Sequence, residues 1–228
     1  MSGILFLSMT NKKTLKAQPE TEDFAHKYTE EGQGKIGSKL IDNYFNSVQD
    51  LVSESGLTRR KKIEAIEIGC GEGFSTARLR ELLPAHVKLQ ASEYVKSLVP
   101  KARKNNPGIK VTQESVYETK HKDNQFDLVF LLEVLEHLDY PDEALSEIAR
   151  ILKPNGFLIL GVPREPLWCT LNMARGKYLK NFGNTPGHFN HWSTYTLQKY
   201  IRNNFGPIQA KKTPLPWTIV LAQLASNK

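Results

Sequence analysis

The chain alternates short, largely apolar runs with stretches whose apolar residues recur every three or four positions. That alternation predicts an α/β fold with a parallel sheet. Ile63–Ile68, Val87–Ser92, Ile109–Thr112, Phe126–Leu132 and Phe157–Val162 read as strands. Phe126–Leu132 is nearly continuous in apolar residues, as a central strand covered on both faces requires. Between the strands, Phe74–Leu79 opens a helix, and Pro141–Leu152 forms another that is ended by Lys153-Pro154-Asn155-Gly156. Upstream, Ile36, Leu40, Ile41, Tyr44, Phe45, Val48, Leu51 and Val52 form a helical stripe able to pack on the sheet. Downstream, Tyr195–Phe205 is a helix capped by Ser193 or Thr194, and Ile208–Thr213 and Trp217–Leu224 are two last strands. No internal repeat is visible. The expected organisation is a flexible terminus at 1–18 and one domain over 19–228, with lid helices at 19–60 and an insert at 163–193.

The first strand runs into Glu67-Ile68-Gly69-Cys70-Gly71-Glu72-Gly73, and a helix follows. Glycines at such a turn accept unusual backbone angles and remove side chains that would hold a ligand away. The spacing is not G-x-G-x-x-G, so NAD or FAD is not indicated, and no Gly-Lys-Ser/Thr follows to make a P-loop.

The pattern E-x-G-x-G-x-G resembles the first motif of the class I S-adenosylmethionine-dependent methyltransferases. FDLVFLLEVLEHL and LSEIARILKPNGFLIL resemble the fourth and fifth motifs of the same superfamily, of the type 11/12 kind, so the likeness spans Ile63 to Val162. The resemblance implies a Rossmann-like seven-stranded sheet of order 3-2-1-4-5-7-6 with strand 7 antiparallel. It implies that Glu67, Gly69, Cys70, Gly71 and Gly73 lie against the methionine and ribose of S-adenosyl-L-methionine. Glu93, at the end of the second strand with Tyr94 beside it, would accept the ribose hydroxyls. Ser115 and Val116 would meet the adenine, although Ser115 stands where the family usually has Asp. Glu133 would lie beside the cofactor.

Methyl transfer to a hydroxyl needs alignment and a means of removing or acidifying a proton, supplied by a general base or a divalent metal. Glu133, Glu136 and His137 follow the fourth strand; His188 and His191 come after the insert. The three histidines are candidate catalytic groups. E-x-x-E-H with a His four residues before Trp192 resembles the metal site of small-RNA 3′-terminal 2′-O-methyltransferases. Ubiquinone-pathway O-methyltransferases also carry E-x-x-E-H with a later His. By that resemblance Glu133, Glu136, His137 and His188 would hold Mg²⁺, Mn²⁺, Fe²⁺ or Zn²⁺ against a vicinal diol or catechol. The metal-free alternative has Glu136 and His137 lining the pocket and His188 or His191 capping the following helix. The insert departs from both families. It mixes aromatics with Arg164, Arg175 and Lys177, and suits a small metabolite, a sugar-linked carrier or a lipid precursor. Arg164, Trp168 and Trp192 are candidate substrate contacts, and Tyr28 a candidate lid residue.

Composition sets the remaining bounds. The 228 residues, 39% hydrophobic and 24% charged, suffice for one core. Two cysteines exclude a disulfide framework, and no apolar run approaches a membrane span, which points to a cytoplasmic protein. The net charge is +7, and the basic residues occur in several short groups along the chain, among them Arg59-Arg60-Lys61-Lys62. It permits nucleic acid as a partner, but no RNA-binding appendage accompanies it. The expected activity is O-methylation of a small molecule. An RNA-terminal methyltransferase and a non-catalytic cofactor-binding subunit are the alternatives.

Overall fold

The computed structural model of the chain describes residues 15–17 and 30–225, with side chains from residue 34 onward in the second stretch. A seven-stranded sheet of order β3-β2-β1-β4-β5-β7-β6 forms its centre. The strands are β1 (Ile63–Ile68), β2 (Val87–Glu93), β3 (Lys110–Gln113), β4 (Phe126–Leu132), β5 (Leu152–Pro163), β6 (Ile208–Lys212) and β7 (Trp217–Gln223). β1 to β5 are mutually parallel, whereas β7 runs antiparallel between β5 and β6. The helices are α1 (Glu30–Glu54), α2 (Phe74–Leu82), α3 (Val99–Asn105), α4 (Pro141–Ile151), α5 (Leu167–Ala174) and α6 (Thr194–Asn204).

The two-residue period of the strands sorts side chains into two layers. Val129 and Leu131 of β4 meet Leu145 and Ile148 of α4 and Leu197 and Ile201 of α6. Leu128, Phe130 and Leu132 of the same strand meet Tyr44, Phe45, Val48 and Leu51 of α1 on the opposite face. α1 thus packs its stripe on the sheet as its periodicity indicates, with one correction. Ile36 is 79% exposed, so the buried face of the helix begins further along, at Tyr44 and Phe45. Tyr28 and most of the 1–18 segment lie outside the described residues.

A second correction concerns β5. The sequence predicts a helix as far as Leu152 and a strand from Phe157, but α4 stops at Ile151 and β5 begins at Leu152. Leu152 is fully buried and pairs with Phe126, while Phe157 pairs with Leu128, so residues 153–156 bulge out between two paired positions. Asn155 takes φ 60° in that bulge. α6 is capped by reciprocal bonds: the Ser193 hydroxyl accepts from Thr196 N at 3.1 Å, and Ser193 N donates to Thr196 Oγ1 at 2.9 Å.

Asp127 locks the lower end of the sheet. It accepts from Lys153 Nζ at 2.6 Å, Arg60 Nη1 at 3.1 Å and the Glu64 backbone N–H at 3.0 Å, joining β4 to β5 and β1. Burial alone would raise its pKa, but these donors outweigh burial and hold it below the ordinary carboxylate value. Its stabilisation is therefore complete above pH 3.8 and is lost as the pH falls through the depressed folded-state pKa. Asp127→Asn is expected to cost about 1–3 kcal/mol at neutral pH and to remove that acid limb, checked by denaturant melts across the acid range.

Candidate active site

The glycine loop sits at the C-terminal edge of the sheet because β1 ends there while β2 continues beside it. The N–H groups of Gly69 and Cys70 both donate to Ser92 O, at 2.8 and 3.0 Å. Gly71 N–H donates to Glu93 Oε2 at 2.7 Å, and Val95 N–H donates to Glu93 Oε1 at 2.8 Å. One carboxylate therefore fixes the loop after β1 and the turn after β2. Burial raises its pKa, opposed by the backbone donors of Val95, Gly71 and Tyr94.

Gly71 has φ +57°, and a Cβ built on it meets nothing within 4 Å, so the loop is bare backbone beside open space. Gly73 is required for a different reason. A Cβ there would run into Asn106 Nδ2 and approach the Ala102 backbone, and the Asn106 amide donates to Gly73 O at 2.8 Å. Gly71 shapes a ligand surface, whereas Gly73 lets α2 start against α3.

Around this loop lies a cavity of about 200 Å³. Gly69, Cys70, Gly71, Glu93 and Tyr94 form one side; Ser115, Val116 and Glu133 form another. A bare glycine turn, a carboxylate at the end of β2 and an apolar groove between β2 and β4 suit the methionine, ribose and adenine of S-adenosyl-L-methionine. Two predicted contacts stand outside the wall. Gly73 faces α3, and Glu67 lies behind the loop with 1% exposure. Glu67 accepts a hydrogen bond from the Thr76 hydroxyl of α2, so it ties β1 to α2 behind the loop. Desolvation pushes its pKa up to about 7, against the Ser75 and Thr76 hydrogen bonds, with the Glu93 charge adding to the rise. The Cys70 thiol is likewise raised, by burial first and by Glu67 and Glu93 after it, so it stays protonated.

The E-x-x-E-H residues diverge in the structure. Glu133 takes φ 58° at the end of β4, its N–H donates to Gly161 O at 2.9 Å, and it lines the cavity. The chain then winds through a short 3₁₀ turn, Leu135–His137, which buries Glu136 and leaves His137 on the cavity wall. The insert returns against this turn. Phe189 N and Asn190 N donate to Glu136 O at 2.9 and 3.0 Å, and the Asn190 amide donates to Leu138 O at 2.7 Å. His137 Nδ1 lies 3.0 Å from Gly187 O; a carbonyl only accepts, so Nδ1 carries the proton and Nε2 is the basic nitrogen. His188 packs edge-on against His137 with ring centroids 4.8 Å apart.

Glu136, His137 and His188 bring one ligand atom each to within 4.8 Å of one another, and Glu133 is not in that group. Of the metal set expected from the resemblance, three residues converge, and Glu133, which lines the cavity, is not among them. The remaining carboxylate and two imidazoles fit a divalent metal, and the Gly187 carbonyl behind His137 is the support such a ligand requires. His191 is also placed elsewhere, with Nδ1 3.6 Å from Glu165 Oε1 in a separate cluster with Cys169. Trp168 is buried and donates from Nε1 to Thr185 Oγ1 at 2.9 Å, beneath His188. Trp192 packs on Tyr200 with centroids 4.7 Å apart, in the core on the α6 side. Arg164 is half-buried, and among the described residues it pairs with no acid. None of these three lines the cavity.

Several wall residues carry no sequence signal. Tyr44 and Phe45 of α1 close the cavity from above, beside Leu15 and Ala17. Lys16 N and Ala17 N donate to Asp139 Oδ2 at 3.1 and 3.0 Å, which pins that segment at the mouth. Glu114, next to Ser115, also lines the cavity, but its carboxylate is engaged by His121 Nε2 at 2.8 Å and Lys120 N at 3.1 Å. Burial would raise its pKa; His121, Lys120 and Thr112 bring it below the ordinary value.

The geometry agrees with the comparisons. Residues 66–160 match the family described as a methyltransferase domain. A probable S-adenosylmethionine-dependent methyltransferase of Mycobacterium tuberculosis is 29% identical over 136 residues, covering 59% of this chain and 48% of that protein. The mitochondrial ubiquinone biosynthesis O-methyltransferase of Candida albicans is 27% identical over 217 residues, covering 87% of this chain and 60% of that protein. The crystal structure of an S-adenosylmethionine-dependent methyltransferase from Aquifex aeolicus shares the fold at a TM-score of 0.61 and 15% identity, covering 82% and 98% of the two chains. Over residues 66–160 the chain is thus similar to methyltransferase domains, and its fold is the one that solved methyltransferase shares. It spans about half the length of the curated relatives it first matches.

Two outcomes test this site. Glu93→Gln, which keeps the shape but loses the charge, is expected to weaken S-adenosylhomocysteine binding by roughly 10- to 100-fold in calorimetry, as expected for lost hydrogen bonds to a charged group. For Glu67 the sign is opposite to that of Asp127. Between pH 4.5 and about 7 the folded state holds a proton that the unfolded state has lost, so stability falls as pH rises through that window. Glu67→Gln should flatten this slope and melt higher than wild type above pH 7, read by thermal melts at matched ionic strength.

Proposed function

We propose that the chain transfers the methyl group of S-adenosyl-L-methionine to an oxygen of a small, predominantly apolar acceptor, with His137 as the base. The observation that carries this reading is the position of His137. It shares the cavity with Gly71, Glu93 and Glu133, and the Gly187 carbonyl holds its ring with Nε2 as the basic nitrogen. When bound, the cofactor supplies a methyl group on a positively charged sulfur, which leaves as a neutral thioether. The acceptor oxygen attacks the methyl carbon as the carbon–sulfur bond breaks, and its proton passes to Nε2 of His137. Tyr44, Phe45, Leu15 and Leu138 give the acceptor side an apolar wall, which favours an aromatic or prenyl-like body over a sugar.

A metal-assisted version is supported by the Glu136, His137 and His188 cluster and by the similarity to ubiquinone biosynthesis O-methyltransferases. In that version these three residues hold the ion, which would acidify a catechol hydroxyl.

The test is methyl transfer from labelled cofactor to a panel of phenols and catechols, with and without a chelator. His137→Asn keeps a donor for Gly187 O and should reduce the rate by about 10²–10⁴-fold while leaving S-adenosylhomocysteine affinity unchanged. Activity abolished by the chelator and restored by Mg²⁺ or Zn²⁺ would select the metal version. Full activity in His137→Asn, or methyl groups found only on nitrogen, would overturn the proposal.

A further inference from the structure

The net charge is divided unevenly along the chain. All 24 acidic residues lie at or before Glu165, and the 63 residues that follow carry eight Lys and Arg and no acid. The +7 of the whole chain therefore arises beyond Glu165. The first part of that acid-free stretch is also where apolar surface meets solvent. Five of the nine large hydrophobic residues that are exposed among the described residues fall within the insert: Met173, Tyr178, Leu179, Phe182 and Phe189. Leu179 is 60% and Phe182 82% exposed. Every residue from Met173 to Phe182 is exposed, with Arg175, Lys177 and Lys180 interleaved among the apolar ones.

This loop is a built structure. The buried Asn172 amide donates to Gly183 O at 2.9 Å, Lys177 N donates to Asn172 O at 2.8 Å, and Gly183 N donates to Tyr178 O at 3.0 Å, so the loop is closed at its neck. Tyr178 and Phe182 sit in the left-handed region at φ 52° and 51°, an unfavourable backbone for bulky side chains. The exposed apolar area gains nothing from folding, and a contiguous patch of this kind marks a contact surface.

We propose that the Met173–Phe182 loop docks the enzyme on an anionic bilayer. Leu179, Phe182 and Tyr178 would enter the boundary between headgroups and acyl chains, and Arg175, Lys177 and Lys180 would lie among the lipid phosphates. Charge complementarity selects this partner, since no acid interrupts the cations, and the aliphatic tip with Met173 and Leu179 suits hydrocarbon better than stacked bases. The loop continues into the site: from Gly183 the chain runs to Gly187, which holds His137, and to Phe189, bonded to Glu136. The proposal rests on the reading of a small apolar acceptor, which such docking would supply from the bilayer.

The test is co-sedimentation of the full chain with vesicles of phosphatidylcholine alone or mixed with phosphatidylglycerol. Mixed vesicles should retain the protein and neutral ones should retain far less. Leu179→Ser/Phe182→Ser and Lys177→Glu/Lys180→Glu should each lower retention at least about tenfold, with melting temperature and S-adenosylhomocysteine affinity unchanged. No retention on mixed vesicles overturns the proposal. So does retention unaffected by Leu179→Ser/Phe182→Ser, which would be adsorption of a basic protein only. Displacement of the vesicles by RNA homopolymer would assign the surface to nucleic acid, and self-association lost in the same variant would assign it to a second copy. The cofactor titration is separate, so loss of methyltransferase chemistry and loss of docking are told apart.

Discussion

The hydrogen bonds that Glu93 accepts from Gly71 and Val95 hold the site together. A glycine turn has many accessible backbone states, and a loop that must present bare N–H groups to a ligand cannot be fixed by its own side chains. Here β2 supplies the fixing, through Ser92 O and the Glu93 carboxylate. The constraint spreads outward from there. Gly73 is held against α3 by Asn106, and Glu67 is tied to α2 by Thr76. The cost is a pair of buried acids with raised pKa values, Glu67 of β1 and Glu93 of β2, beside the loop. A site of this kind is tuned by burial rather than by ion pairs, in contrast to Asp127 at the other end of the sheet.

The acceptor side depends on a different kind of support. The His137 ring is held by a carbonyl fifty residues later in the chain, and the segment that carries this carbonyl is anchored by Phe189, Asn190 and the Trp168–Thr185 bond. The insert is therefore the outer shell of the site, and the packing of Trp168 on His188 and on Trp217 connects it to the sheet. Any contact that shifts the insert acts directly on the tautomer and direction of His137.

Much of the architecture was legible in the sequence, because buried parallel strands leave nearly continuous apolar runs. Phe126–Leu132 is observed over the residues read from the pattern, and the order with β7 antiparallel follows the resemblance. β5 was misread at its start because Lys153-Pro154-Asn155-Gly156 carries turn chemistry, while the pairing of Leu152 with Phe126 is a tertiary fact. Ile36 was misassigned because helical spacing continues past the end of the sheet-facing surface, and only the packing shows where that surface stops. The histidines show the limit most clearly. His137, His188 and His191 are all catalytic candidates on paper, with His137 and His188 in the metal set only by resemblance; the fold separates His191 toward Glu165 and brings the other two into contact. Trp168 and Trp192 have aromatic character suited to a pocket, and both were taken up by packing.

By itself the sequence determined the strands, the glycine turn and the acid at the end of β2, since each depends on local periodicity or on fixed spacing from a strand end, whereas the strand order came only through the family resemblance. It also determined the charge division at Glu165, a matter of composition alone. The tertiary structure decided which groups share a space. Glu136, His137 and His188 converge, Glu133 stays on the cavity wall outside that cluster, and Tyr44, Leu15 and Ala17 close the cavity from distant parts of the chain. The physical reason is that convergence arises from long-range pairing and backbone hydrogen bonds across loops, which leave no period in the residues they join.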